Sequence, residues 1–189
     1  MTASPKPGHE PPARPLDPSE IDGLVISVFE DRQLRSNIRR LDKVELVRVR
    51  DLAERALERH KGADLETLEP LEVHQKLLKG LAGETLLVAS SLFLDSLAEA
   101  EQFFELSFKT IKSKLGGTLD IAASERAMRA ARVTTAAAEF LGSFDAARRY
   151  MHTRNFALGG SVPADLLKTG EGERLVLNEL QTASEGGPV

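Results

Sequence analysis

Along most of the chain the apolar residues return at helical spacing. From Leu41 to Lys61, the residues Leu46, Val49, Leu52, Ala53, Ala56 and Leu57 alternate with charges, and Asp51 with Arg55 forms an i,i+4 pair, so an amphipathic helix closed by Gly62 is expected. Before it, Ile21 to Phe29 (IDGLVISVF) is β-branched and apolar. By propensity it reads as a strand, but no second convincing strand follows to pair with it, and a helix or an arm packed on a partner chain fits equally. Beyond Pro70 the pattern is helical throughout: Leu71 to Leu78, a break at Gly80, then Glu84 to Phe93. Leu97, Ala100, Phe104, Leu106 and Ile111 have the spacing of a helix-turn-helix with a second helix over Ser107 to Leu115, capped by Ser107. Gly116-Gly117 interrupt the chain, Ser124 is placed to cap an alanine-rich helix from Glu125 to Leu141, and Gly142 precedes another from Asp145 to Met151.

The last stretch is denser in signals. Gly159-Gly160 permit positive φ or a close backbone approach, and Ser161 before Val162-Pro163 reads as the cap of a short helix carrying Ala164, Leu166 and Leu167. Thr169 is placed to cap a following helix that opens with Glu171 and Glu173 and runs to about Leu180. Its apolar residues Leu175, Val176, Leu177 and Leu180 cover too wide an arc for one buried stripe, so part of that surface is expected to face another chain. The fold class that results is all-α: a helical bundle with a helix-turn-helix and a small helical module at the C-terminus.

Composition adjusts this picture only slightly. The 189 residues with 41% apolar content suffice for a core. The absence of cysteine excludes disulfides and thiolate metal sites, and His9, His60, His74 and His152 lack ligand spacing, so no metal and no cofactor is expected. Six prolines before residue 19 mark a disordered or extended arm without the apolar core of a signal peptide, and the apolar-leaning run Leu86 to Leu94 is too short to span a bilayer; a cytoplasmic location without membrane contact is the expectation. The net charge of -4 hides a basic segment, residues 106 to 154, with nine basic and four acidic side chains. That count suits a nucleic-acid footprint or a solvated helix face. No phosphate loop, nucleophile elbow or catalytic triad can be assembled, so catalytic residues are not expected.

The C-terminal residue order carries a resemblance. Asn155, Leu158, Gly159, Gly160, Pro163, Leu166, Leu167, Thr169, Gly172, Val176, Leu180 and Gly186 follow the pattern Asn-x-x-Leu-Gly-Gly-x-x-Pro-x-x-Leu-Leu-x-Thr-x-x-Gly-x-x-x-Val, which resembles the toxin-binding domain of Xre/MbcA/ParS-type antitoxins. Tyr150-Met151 stand where that family usually has Trp-Leu, and Thr182-Ala183 where it usually has Arg-Ile. The resemblance implies a partner, a RES-domain toxin that consumes NAD and is held inactive by this domain lying against its active-site cleft. The residues quoted, with Thr182, are the implied toxin-binding set.

It extends to the helix-turn-helix, through the stretch Leu106-Ser107 and Thr110-Ile111. Ser107, Lys109, Thr110, Lys112 and Lys114 would serve phosphates and base edges of an operator bound by a homodimer, or by a higher assembly with the toxin. Arg126 and Arg129 match arginines that follow the helix-turn-helix in the family, and Arg132 extends the set; phosphate anchoring and carboxylate pairing both remain open. Glu105 occupies a turn position usually filled by glycine, where it would strain a left-handed turn. Glu101 stands where a small residue is usual and would meet the helix crossing or the DNA with the wrong charge. Four segments follow: a proline-rich arm over 1–19, a helical or arm segment over 20–65 that suits dimerisation, a helix-turn-helix domain over 66–154, and the toxin-binding domain over 155–189. The implied function is an antitoxin that also regulates its operon. The alternative is a helix-turn-helix regulator without a toxin, its C-terminal module used for self-assembly.

Overall fold

The run Ile21 to Phe29 folds as a helix, and tertiary packing is the reason. In the computed structural model, which describes residues 14–62 and 65–186, it lies within α1 (Pro18–Glu30), where seven residues including Leu24, Val25, Ile26, Val28 and Phe29 are buried. Asp17 caps the helix in a reciprocal box with Glu20, and Pro18 opens it; these local signals reinforce a packing that overrides the strand propensity. Gly23 is needed there because a Cβ would come within 1.7 Å of the Glu66 carbonyl oxygen. The arm expected over residues 1–19 lies outside the described residues up to 13. From 14 to 17 the chain is non-helical, and Leu16 packs against the core.

The protein is an all-α bundle, with eleven α-helices and one 3-10 turn among the described residues. After α1 come α2 (Arg32–Arg39), α3 (Leu46–Lys61), α4 (Pro70–Lys79), α5 (Thr85–Phe93), α6 (Leu97–Phe104), α7 (Phe108–Ser113), α8 (Ile121–Leu141), α9 (Phe144–His152), α10 (Pro163–Leu166) and α11 (Gly170–Ser184). Every residue of α5 is buried, including Ser90 and Ser91, whose hydroxyls donate to carbonyls one turn back. Against α5 lie α3, α8 and α9, and α8 in turn carries α1 and α11. Small residues on the α8 face, Ala127, Ala130, Ala131 and Ala137, allow these close approaches. The N-terminal helices therefore share one core with the C-terminal ones.

Two expected caps are elsewhere. Asp120, not Ser124, caps α8, accepting from the Ala123 N–H at 2.8 Å; Ser124 is buried in the first turn, where its hydroxyl donates to the Asp120 carbonyl and accepts the Leu81 N–H. Ser161 caps nothing: α10 begins after Val162 without a side-chain cap, and the Ser161 carbonyl instead accepts the Asn155 N–H. The helix expected from Leu41 begins only at Leu46, and α2 leaves little apolar signature because its charged sequence, RQLRSNIR, buries only Leu34 and Ile38.

Candidate functional site

Residues 155 to 161 form a small closed loop. Asn155 and Ser161 pair as an antiparallel bridge, the Asn155 N–H donating to the Ser161 carbonyl at 3.0 Å and the Gly160 N–H to the Asn155 carbonyl at 2.9 Å. The Asn155 Oδ1 accepts the Ala157 N–H, which starts the 3-10 turn Phe156–Leu158. Gly159 and Gly160 close the loop at φ +64° and +79°, and a Cβ on either would meet nothing within 4 Å. Their role is conformational, therefore, and not a close approach. Leu158 is half-buried against the core, whereas Phe156 stands 97% exposed on the loop.

The flanking elements hold this loop firmly. Tyr150 on α9 donates to Glu179 on α11 at 2.5 Å; burial and the neighbouring carboxylate both push its phenol well above the ordinary range, so it stays protonated. Met151 beside it is completely buried. His152 contacts the Phe93 carbonyl through Nε2 at 2.6 Å and stacks on the Phe93 ring, tying the end of α9 to α5. Thr169 caps α11 as expected, accepting the Gly172 N–H at 3.1 Å. At Gly172 a Cβ would sit 1.8 Å from the Leu166 carbonyl oxygen, so this glycine is what lets α10 lie against α11.

The residues named from sequence divide into two kinds. Pro163, Leu167, Gly172, Val176 and Leu180 are buried and hold the module together. Asn155, Leu158, Gly160 and Leu166 are half-buried, while Gly159, Thr169, Thr182 and Gly186 lie at the surface. Of the wide apolar arc of α11, Val176 and Leu180 face inward and Leu175 is 53% exposed. The 3-10 turn packs on α11, so Phe156 and Leu175 project from touching elements.

The helix-turn-helix segment is α6 with α7, packed on one another and joined by Glu105 at φ 55°, ψ 36°, the one non-glycine residue with positive φ among those described. The expected left-handed strain is thus present. Glu101 does something other than expected: its carboxylate accepts the Phe108 N–H and so caps α7, favourably oriented to the helix dipole. Ser107 also caps α7, accepting the Thr110 N–H, and its hydroxyl meets the Thr110 hydroxyl at 2.9 Å. Lys109 and Lys112 are exposed, whereas Lys114 lies 3.7 Å from Asp120. All three arginines of α8 meet carboxylates. Arg126 pairs with Glu105 at 3.2 Å, Arg129 reaches the Leu167 carbonyl and Glu173, and Arg132 bridges Asp22 of α1 and Glu173 of α11. Burial pushes the Asp22 carboxyl upward, more than the Arg132 guanidinium lowers it. No group of His, Asp or Glu among the described residues is arranged to hold a metal ion, and no helix there is long and apolar enough to cross a membrane.

A preformed loop with an exposed aromatic, packed on α11, is the kind of surface that suits docking of another protein. In comparison with known families, residues 136–186 match the model described as the antitoxin Xre/MbcA/ParS C-terminal toxin-binding domain, the domain that the motif resembles. The match takes in the end of α8 and all of α9 along with the motif. It supports an antitoxin role and implies a toxin as partner. No curated protein matches the chain. Phe156 is the residue that the motif missed, because it falls at a variable position of the pattern. Its signal was present all the same, as a large aromatic two residues ahead of Leu158 in a segment with no apolar stripe to join.

Proposed function

We propose that this protein is the antitoxin of a RES-type toxin that consumes NAD, acting by stoichiometric occlusion of the toxin's active site and not by catalysis. The carrying observation is the match of residues 136–186 to a toxin-binding domain, together with a hydrogen-bonded loop in it that holds Phe156 out in solvent. Binding costs less when the docking segment is ordered beforehand, and here five backbone hydrogen bonds and one to the Asn155 side chain within 155–161 supply that order.

We infer a second role, operator binding as a homodimer, from the capped α6–α7 pair and the exposed Lys109 and Lys112. Arg126, Arg129 and Lys114 would have to exchange their carboxylate partners for phosphates to contribute. Co-expression of the full chain with a RES-domain protein encoded beside its gene, followed by co-purification, tests the first role. Recovery of a stoichiometric complex supports it. A chain that binds its promoter fragment but no such toxin would favour the alternative, a regulator whose C-terminal module serves self-assembly.

A further inference from the structure

Phe156 is a phenylalanine with 97% of its surface in water, apolar area that a partner would gain by covering. Scattered apolar residues on a surface are ordinary, but Phe156 is held out on a loop whose every other feature restricts motion. The Asn155–Ser161 bridge fixes both ends, the Asn155 side chain fixes the turn, and two left-handed glycines close it. Aromatic side chains have few rotatable bonds, so a rigid loop presenting one loses little entropy when it docks. Leu175, 53% exposed on α11 against which the turn packs, adds apolar surface on the adjoining element. Both residues lie inside the stretch 136–186 that matches a toxin-binding domain, which makes the toxin the occupant of choice.

We propose that Phe156 is the anchor of the toxin interface, inserting into an apolar socket of the toxin with Leu175 lying on the socket's edge. This rests on the antitoxin reading above. The loop positions the ring and Asn155 is a positioning residue, acting through the turn it caps. The ring contributes nothing to the fold of the free chain, so its removal separates binding from stability.

The test measures the dissociation constant of the full chain, and of variants, for a RES-domain protein encoded beside its gene, with the unfolding midpoint of each variant alongside. Phe156→Ala should weaken binding by about 30-fold or more, the loss expected of a central hot spot, while the midpoint stays at the wild-type value. Phe156→Trp should retain much of the affinity, and Leu175→Ala should cost less than Phe156→Ala. Leu71→Ala, which removes a side chain 65% exposed on α4 outside the matched segment, should change nothing. Asn155→Ala should weaken binding with Phe156 in place. If the wild type binds the toxin and Phe156→Ala binds as well as it does, the anchor is refuted and the antitoxin reading stands. If the wild type does not bind, the antitoxin reading falls and the anchor with it.

Discussion

Three glycines of the C-terminal module do different work, and substitution should rank them. Gly172→Ala places a methyl group 1.8 Å from the Leu166 carbonyl oxygen in a buried contact, and should cost about 3 kcal/mol by forcing α10 away from α11. Gly159→Ala and Gly160→Ala meet open space and should cost only the left-handed penalty, about 1 to 2 kcal/mol each. Chemical denaturation of the three variants checks the order, and equal losses would contradict it. Glu105 is the converse case. Glu105→Gly relieves a left-handed glutamate while giving up only an ion pair whose carboxylate is largely exposed, and should leave stability unchanged or slightly raised. A loss above about 1 kcal/mol would show that the Arg126 pair matters more than the backbone. Asp31 provides the pH dependence. Burial opposes its charge, but the Leu34 N–H, Arg59 and His60 outweigh that and hold it at about 2. Its folded value lies below its ordinary 3.8, so its contribution is complete above that pH and is lost as the pH falls toward 2. Asp31→Asn should flatten the acid limb of the unfolding profile over that window, and an unchanged limb would contradict the assignment.

Among the elements, α8 is the hub, and Arg132 shows how it joins the ends of the chain. Its guanidinium bridges Asp22 of α1 and Glu173 of α11, the latter at 2.6 Å. Arg132→Met would leave two partly buried carboxylates facing each other and should destabilise the fold by about 2 kcal/mol, while Asp22→Asn, which keeps the shape, should cost less. Thermal unfolding of both variants decides this. The helical elements were largely legible in the sequence because their apolar spacing and glycine stops are local. Gly142, Thr169 and Ser107 act where their residue types suggest. What the sequence left open was decided by distant contacts. The α1 run has strand propensity and becomes a helix because α8 and α3 receive it. Glu101 looked like a charge in the wrong place and is a cap, since its partner is a backbone N–H across a turn. The carboxylates beside Arg126, Arg129 and Arg132, those of Glu105, Glu173 and Asp22, come from residues 21 to 110 positions away in the chain, beyond the reach of local pattern. In the candidate site, the motif identified the loop through its glycines but not Phe156, whose meaning depends on its being exposed.

For the whole molecule, the N-terminal helices share one core with the C-terminal module. Leu24, Ile26, Val49 and Ala53 share a continuous cluster with Met151, Leu167 and Val176. We propose on this basis that residues 20–65 buttress the module. A fragment beginning at residue 66 should then fail to give a cooperative melt, because α8 and α5 would lose the cover of α1 and α3. On DNA, Lys109→Ala with Lys112→Ala should reduce the slope of log K against log salt by up to about two if both reach phosphates, without altering affinity for the toxin. Inhibition by occlusion is read most simply from NAD consumption by a RES-domain protein, one encoded beside this gene, titrated with the full chain. Occlusion predicts activity falling linearly to a sharp end point at a fixed ratio of the two proteins, with Phe156→Ala blunting that end point. NAD consumption unaffected by an excess of the intact chain would rule occlusion out.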